Sequence, residues 1–247
     1  MLQNWIRPVD PGNFLEGVRP DAPVMGRAVQ FFDAGEHSEM RDVQIGLVGI
    51  GDVDANAVRR ALYAMSFPFE GLKIADLGNM RRQDNAFLVA PLRELIDSKI
   101  FPILIGRHPA NVQAQYKAFL SLQHWINFVA VDEKLAADPL QAGHPEMELN
   151  NILLRPESKL FHFGLIGCQT HLMPPEAFRF LDERHFDVVR LGAARADLPS
   201  VEPVIRDADV LAFHMGAVRY SDAPAQAAPS PSGFTAEEAC QICRYAG

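Results

Sequence analysis

Cysteine is scarce in this chain: three stand among 247 residues, an odd number that cannot form a fully paired disulfide framework. The scarcity points to a reducing compartment, so a cytoplasmic protein is the expectation. No apolar run approaches the ~20 residues needed to span a bilayer. The N-terminus, Met1-Leu-Gln-Asn-Trp-Ile-Arg-Pro-Val-Asp10, lacks the basic start and apolar stretch of a secretory signal. Dense Lys/Arg runs are also missing and the net charge is −8, which argues against nucleic acid or an anionic membrane as partner. What is present, 48% hydrophobic and 22% charged residues, is ordinary globular composition and is long enough for one large α/β domain.

Residues 1–40 are rich in Pro, Gly and Asp around the apolar patch Val29-Gln-Phe-Phe32 and read as a leader packed on the domain that follows, 41–247. From Val43 the pattern alternates. Apolar β-rich runs at 43–50, 72–77, 100–105, 126–131, 160–166, 186–191 and 210–213 read as strands. Segments with helical apolar spacing at 54–65, 86–100, 110–122, 174–184 and 236–245 read as helices. The stretch from Val131 through Asn151 reads as a loop. Alternation of this kind implies right-handed crossovers and a mostly parallel, doubly wound sheet with helices on both faces, a three-layer α/β/α architecture.

Three strand ends carry polar clusters, where a buried parallel strand presents its C-terminal end to a ligand. The first is Phe101-Pro-Ile-Leu-Ile-Gly-Arg-His-Pro109 and the second Phe128-Val-Ala-Val-Asp-Glu-Lys134. The third is Val210-Leu-Ala-Phe-His-Met-Gly216, followed by Arg219-Tyr-Ser-Asp-Ala-Pro224.

On these residues the chain resembles the ureohydrolases (arginase, agmatinase and formimidoylglutamase), from about Val43 to the end. Phe101–Gly106 looks like the strand leading into the family's Gly-Gly-Asp-His-Ser, and Phe128–Asp132 like the strand carrying Asp-Ala-His-x-Asp. Leu211–His214 with Ser221-Asp-Ala-Pro224 looks like the strand and loop of Ser-x-Asp-x-Asp and its trailing Asp-Pro. Ala75-Asp-Leu-Gly-Asn79 matches a strand-end turn of the family, and Pro231-Ser-Gly-Phe-Thr-Ala-Glu-Glu-Ala239 its glycine loop and following helix. The resemblance implies an arginase-type fold, two manganese ions at the strand ends and hydrolysis of a C–N bond. It also implies a small guanidino or formimino amino-acid ligand and a homo-oligomer.

The departures carry as much weight. Aligned without gaps, the first motif's histidine falls on His108, between Arg107 and Pro109. Asp132 keeps the first aspartate of the second motif, whose histidine has become Lys134 and whose last aspartate has become Ala136. The third motif's two aspartates have become His214 and Gly216. An ammonium about 4 Å from a divalent ion costs roughly 8 kcal/mol at an effective dielectric near 20. Lys134 therefore opposes a metal, and the expectation is that its charge neutralises Asp132 in a vacated pocket, with no cofactor. An active alternative keeps a single divalent metal on His108, Asp132 and His214, with Asp132, Lys134 or His171 as candidate catalytic or substrate-orienting groups. A third reading is a small-molecule sensor using the old pocket. The family's guanidinium-anchoring strand follows the last helix, and the sequence stops before it, so a sheet lacking its last strand and helix, with exposed apolar edge, is expected.

Other motifs read more plainly. Cys240-Gln-Ile-Cys243 falls inside a helix and is expected to pack there; Cys168 is expected to be buried. His162 and His171 are expected to be hydrogen-bonded structural histidines. Gly49-Ile-Gly51-Asp52 is a weak dinucleotide-turn signal, lacking the later glycine. Arg219 and Asp222 are expected to pair across their loop.

Overall fold

Alternation of buried apolar runs with amphipathic segments yields the elements expected, in a computed structural model that describes residues 2–19, 21–32, 42–107, 111–122, 125–135, 149–153, 159–226 and 229–246. The chain divides into two compact units, Met1–Leu122 and Gln123–Gly247.

In the first unit the strands are β1 (Ile6–Arg7), β2 (Gln30–Phe31), β3 (Ile45–Ile50), β4 (Ile74–Met80) and β5 (Phe101–Gly106), with helices α1 (Asp52–Tyr63), α2 (Asn85–Asp97) and α3 (Asn111–Ser121) between and after the last three. The sheet order is β1-β4-β3-β5, with β2 also on β4; only β1 runs antiparallel to its neighbour. Residues 2–32 thus do more than drape the surface: they add two short strands and bury Leu2, Ile6, Phe14 and Val29. Side-chain alternation along β3 sends Leu47 into a cluster with Phe14, Met25 and Tyr63. It sends Val48 and Ile50 into another with Leu77, Leu88, Leu92 and Ala114, so both faces are covered. Asp84 caps α2 by accepting from the Phe87 amide at 3.0 Å. Among the described residues β5 pairs only with β3, and Phe101 and Ile103 are exposed on it.

The second unit has β6 (Ile126–Val131), β7 (Leu160–Cys168), α4 (Pro175–Glu183), β8 (Asp187–Arg190), α5 (Leu191–Ala196), β9 (Val210–Phe213) and α6 (Ala236–Arg244). Its sheet runs β8-β7-β6-β9, all parallel. Val129, Val131, Ile166, Ala194, Ile205, Phe234 and Ile242 form the core around it. Helical turns between β8 and β9 (191–196, 198–201 and 202–205) went unread in the sequence because Pro199 and Pro203 interrupt the periodicity; both prolines fall in first turns, where their missing amide costs little. The expected loop after β6 contains a short helix, Asn150–Leu153, with Ile152 and Leu153 buried. The α/β expectation with a mostly parallel sheet therefore holds within each unit.

Candidate functional site

The β6 end of the second unit is where acidic and basic side chains gather. Val131 closes the strand in the core and Asp132 leaves it, its amide donating to Ile166 O at 3.0 Å. Strand alternation carries Glu133 back inward, 6% exposed, and leaves Lys134 in solvent. On the neighbouring strand, His214 follows β9 and its amide donates to Val131 O at 3.0 Å, which brings the imidazole over Asp132. His214 Nδ1 lies 3.3 Å from Asp132 Oδ1, a carboxyl oxygen that also accepts from the Glu133 amide at 2.7 Å. The Gly216 amide lies 3.3 Å from the same Nδ1. One nitrogen serves one of them at a time: protonated it donates to Asp132, unprotonated it accepts from Gly216.

Two groups here are displaced in titration. The hydrogen bond to Asp132, aided by the charges of Asp132 and Glu133, raises the His214 pKa against burial and Lys134. Burial, and then the Asp132 charge, raise Glu133, while Lys134, His214 and His171 pull it down. Glu133 joins the site without a motif to mark it, inside the strand end Phe128-Val-Ala-Val-Asp-Glu-Lys134. Its signal was the period of two: a carboxyl between an outward Asp132 and an outward Lys134 must turn in. Its carboxylate has no hydrogen bond or ion pair among the described residues.

Asp132 pairs with His214, not with Lys134, which corrects the expectation. The imidazole arrives on the adjacent strand with a short, stiff side chain, whereas the ammonium stays hydrated at the rim. His171, in the 170–172 turn after β7, is exposed and makes no hydrogen bond among the described residues, so the structural-histidine expectation fails for it. It holds for His162, which meets Asp187 at 3.0 Å and the edge of Phe186. His108 and Ala136 lie outside the described residues.

Chemically the corner holds two members of a catalytic triad. Asp132 orients His214 and favours its protonated form, but among the described residues no hydroxyl or thiol is hydrogen-bonded to that histidine to act as nucleophile. Nor is any group of three His, Cys, Asp or Glu placed to hold a metal among them. The space is filled by the chain itself: an ideal Cβ on Gly216 would sit 2.8 Å from His214 Nδ1 and 3.6 Å from Glu133 Oε1. Among the described residues, therefore, the donors do not fit a two-manganese centre.

The remaining motifs are structural. Asp222 accepts from Arg219 Nε at 2.7 Å, Ser221 Oγ at 2.8 Å and the Ala236 amide at 2.9 Å, which together lower its pKa to about 2 and tie the loop to the start of α6. Cys168 is fully buried and its thiol is pushed up to about 11 by burial. In the first unit, Gly49 serves packing, not a phosphate: a Cβ there would overlap Asn79 Oδ1 and press on Arg59. Asp52 at the adjoining helix start, paired with Arg7 at 2.5 Å, repels a phosphate.

No protein-family model matches the chain, and no curated protein matches it in sequence. Comparison of structures places it in a class: the fold is the arginase-type α/β fold. Formimidoylglutamase from Bacillus subtilis superimposes with a TM-score of 0.75 at 14% identity, over 92% of this chain and 80% of that one. Formiminoglutamase from Trypanosoma cruzi, solved with Mn2+, gives 0.71 at 17% identity over 84% and 82%. Arginase from Bacillus subtilis gives 0.58 at 16% over 81% and 84%. At these identities the likeness establishes the fold.

Proposed function

We propose that this protein is a divergent relative of the formimidoylglutamases and arginases whose two-metal centre has been replaced by a self-paired Asp132–His214 corner. Metal-dependent hydrolysis of a C–N bond in guanidino or formimino compounds is its ancestry, and its present role is structural or regulatory. The observation that carries the reading is the ring of His214. It stands where the related motif has an aspartate, ion-paired to the retained Asp132 and occupying the space a side chain at position 216 would need. Three carboxylates of the related motifs are gone, at Ala136, His214 and Gly216, and the one that remains, Asp132, is engaged by an imidazole that carries a proton more readily than usual.

The test is metal analysis of protein dialysed against manganese, followed by assays for urea, formamide or ammonia release from arginine, agmatine and formimidoylglutamate. Substoichiometric metal and no turnover are expected. A tightly held ion with turnover that disappears in His214→Ala overturns the reading in favour of a rebuilt single-metal hydrolase.

A second reading, small-molecule sensing at the same corner, is favoured by the inward Glu133 carboxyl, which lacks a donor among the described residues. A small amine or acid then raises the melting temperature without turnover, and Glu133→Gln removes the shift.

A further inference from the structure

Helix α6 does not use its two cysteines for packing. It buries Ile242 in the core cluster that also holds Val131, Val201 and Phe234, whereas Cys240 and Cys243 are both solvent-exposed. The reason is register: positions three apart lie about 60° around a helix from one another, so the pair shares one face, and that face is not the one Ile242 presents to the core. The sequence expectation of ordinary packing is therefore wrong for both.

The platform beneath them is firmly held. Thr235 Oγ1 accepts from the Glu238 amide at 3.1 Å, and Glu238 Oε2 accepts from the Thr235 amide at 2.7 Å. Asp222 holds the Ala236 amide, and Arg195 Nε lies 3.1 Å from Glu238 Oε1. Two thiols at i and i+3 on such a helix have Cβ atoms about 5–6 Å apart. A disulfide needs roughly 3.5–4.5 Å, so closing one would distort the helix. A single ion with two metal–sulfur bonds of about 2.3 Å each spans roughly 4.6 Å between sulfurs, which the side chains reach by rotation alone. Partial covering of the Cys243 sulfur, and then the charge of Cys240, raise the Cys243 thiol, so a cation must displace a proton held there more firmly than usual.

We infer that Cys240 and Cys243 form a two-thiolate site for a soft, thiophilic cation of low coordination number, of the copper(I) class. Zinc is a poor fit, because it takes four ligands and no third His, Cys, Asp or Glu joins the pair among the described residues. Each thiol gives its proton to solvent as the ion binds, so one cation displaces two protons and no electron is transferred.

Anaerobic titration with copper(I) buffered by bicinchoninate tests the site. One equivalent per chain is expected, with two protons released. Affinity should fall at least about 100-fold in Cys240→Ser and in Cys243→Ser, the loss of chelation, and stay unchanged in Cys168→Ser. Both serines replace exposed side chains, and unchanged melting of those variants establishes that the fold is intact. Failure of the wild type to compete, or single-serine variants that bind as tightly, overturns the inference. So does uptake of two independent equivalents.

Discussion

Each unit holds a polar cluster at one of its strand ends or helix–strand contacts, and the clusters around Arg59 and around Asp132 are built on opposite terms. In the first unit Arg59 and Asp76 are fully buried and joined by two hydrogen bonds, Nε to Oδ2 at 2.7 Å and Nη2 to Oδ1 at 2.8 Å. Every further valence is used. Arg59 also donates to Asn79 Oδ1 at 2.5 Å and Gly78 O at 3.0 Å, and Asp76 accepts from the Gly78 amide at 2.8 Å and from the Tyr63 hydroxyl, whose proton burial and Asp76 hold far above its usual value. In the second unit the Asp132–His214 pair is single, longer and half in solvent, with a buried carboxyl beside it that has no donor among the described residues. A saturated network locks α1 onto β4 and leaves nothing to offer a ligand. An unsaturated one keeps a buried carboxyl without a donor among the described residues, which is costly to hold.

The comparison breaks most visibly at Arg59. Arg59→Met leaves Asp76 charged, buried and unpaired, and the expected loss is about 3–5 kcal/mol of unfolding free energy, read from urea denaturation. The double variant Arg59→Met/Asp76→Leu recovers only part of it, because Gly78, Asn79 and Tyr63 keep groups that then lack partners. If the single variant unfolds like the wild type, the network is not the lock described.

At the second place the same kind of insult is milder. Gly216→Asp forces the His214 ring away from Asp132, and because that ring is half exposed it can swing outward. A cost of about 1 kcal/mol is expected, at the low end of overpacking. In a His214→Ala background the steric part of the cost is relieved and only repulsion from Glu133, whose Oε1 is 3.6 Å from the site of the new Cβ, remains, so the cost falls, which a pair of thermal melts measures. Equal costs in both backgrounds would show that the ring does not fill that space.

Most of the fold was legible because its signals are periodic. Strands 126–131 and 210–213 were bounded from the sequence to the residue, since buried parallel strands are unbroken apolar runs. The helical turns at 191–205 were not, because prolines and short lengths erase the period. At the site, motif comparison singled out Asp132, Lys134 and His214, yet it paired the wrong two. Nearness along the chain suggested Lys134, whereas contact across β6 and β9 selected His214. Which neighbour a side chain meets depends on strand order, and no local pattern encodes that. Cys240 and Cys243 were misjudged for a related reason: a nine-residue helix that buries one position leaves the rest to solvent, and its hydrophobic stripe alone does not say how deep it sits.

The smallest expected effect is also the most diagnostic of an unsaturated site. Glu133 has its pKa raised on folding, so its protonated form is favoured by the native state. Its contribution to stability is complete below the unfolded value, about 4.5, and is lost as pH rises through the higher folded value. Glu133→Gln keeps the shape and removes the ionisation. The variant should melt with the wild type near pH 4 and above it near pH 8, with the gap opening across the interval where the native carboxyl ionises. A gap that opens in the opposite direction, with the variant less stable at high pH, would mean that the ionised carboxylate is held by Lys134, His214 and His171 strongly enough to outweigh burial. The corner would then be as saturated as the one around Arg59, and the contrast between the two units would fail at its weaker end.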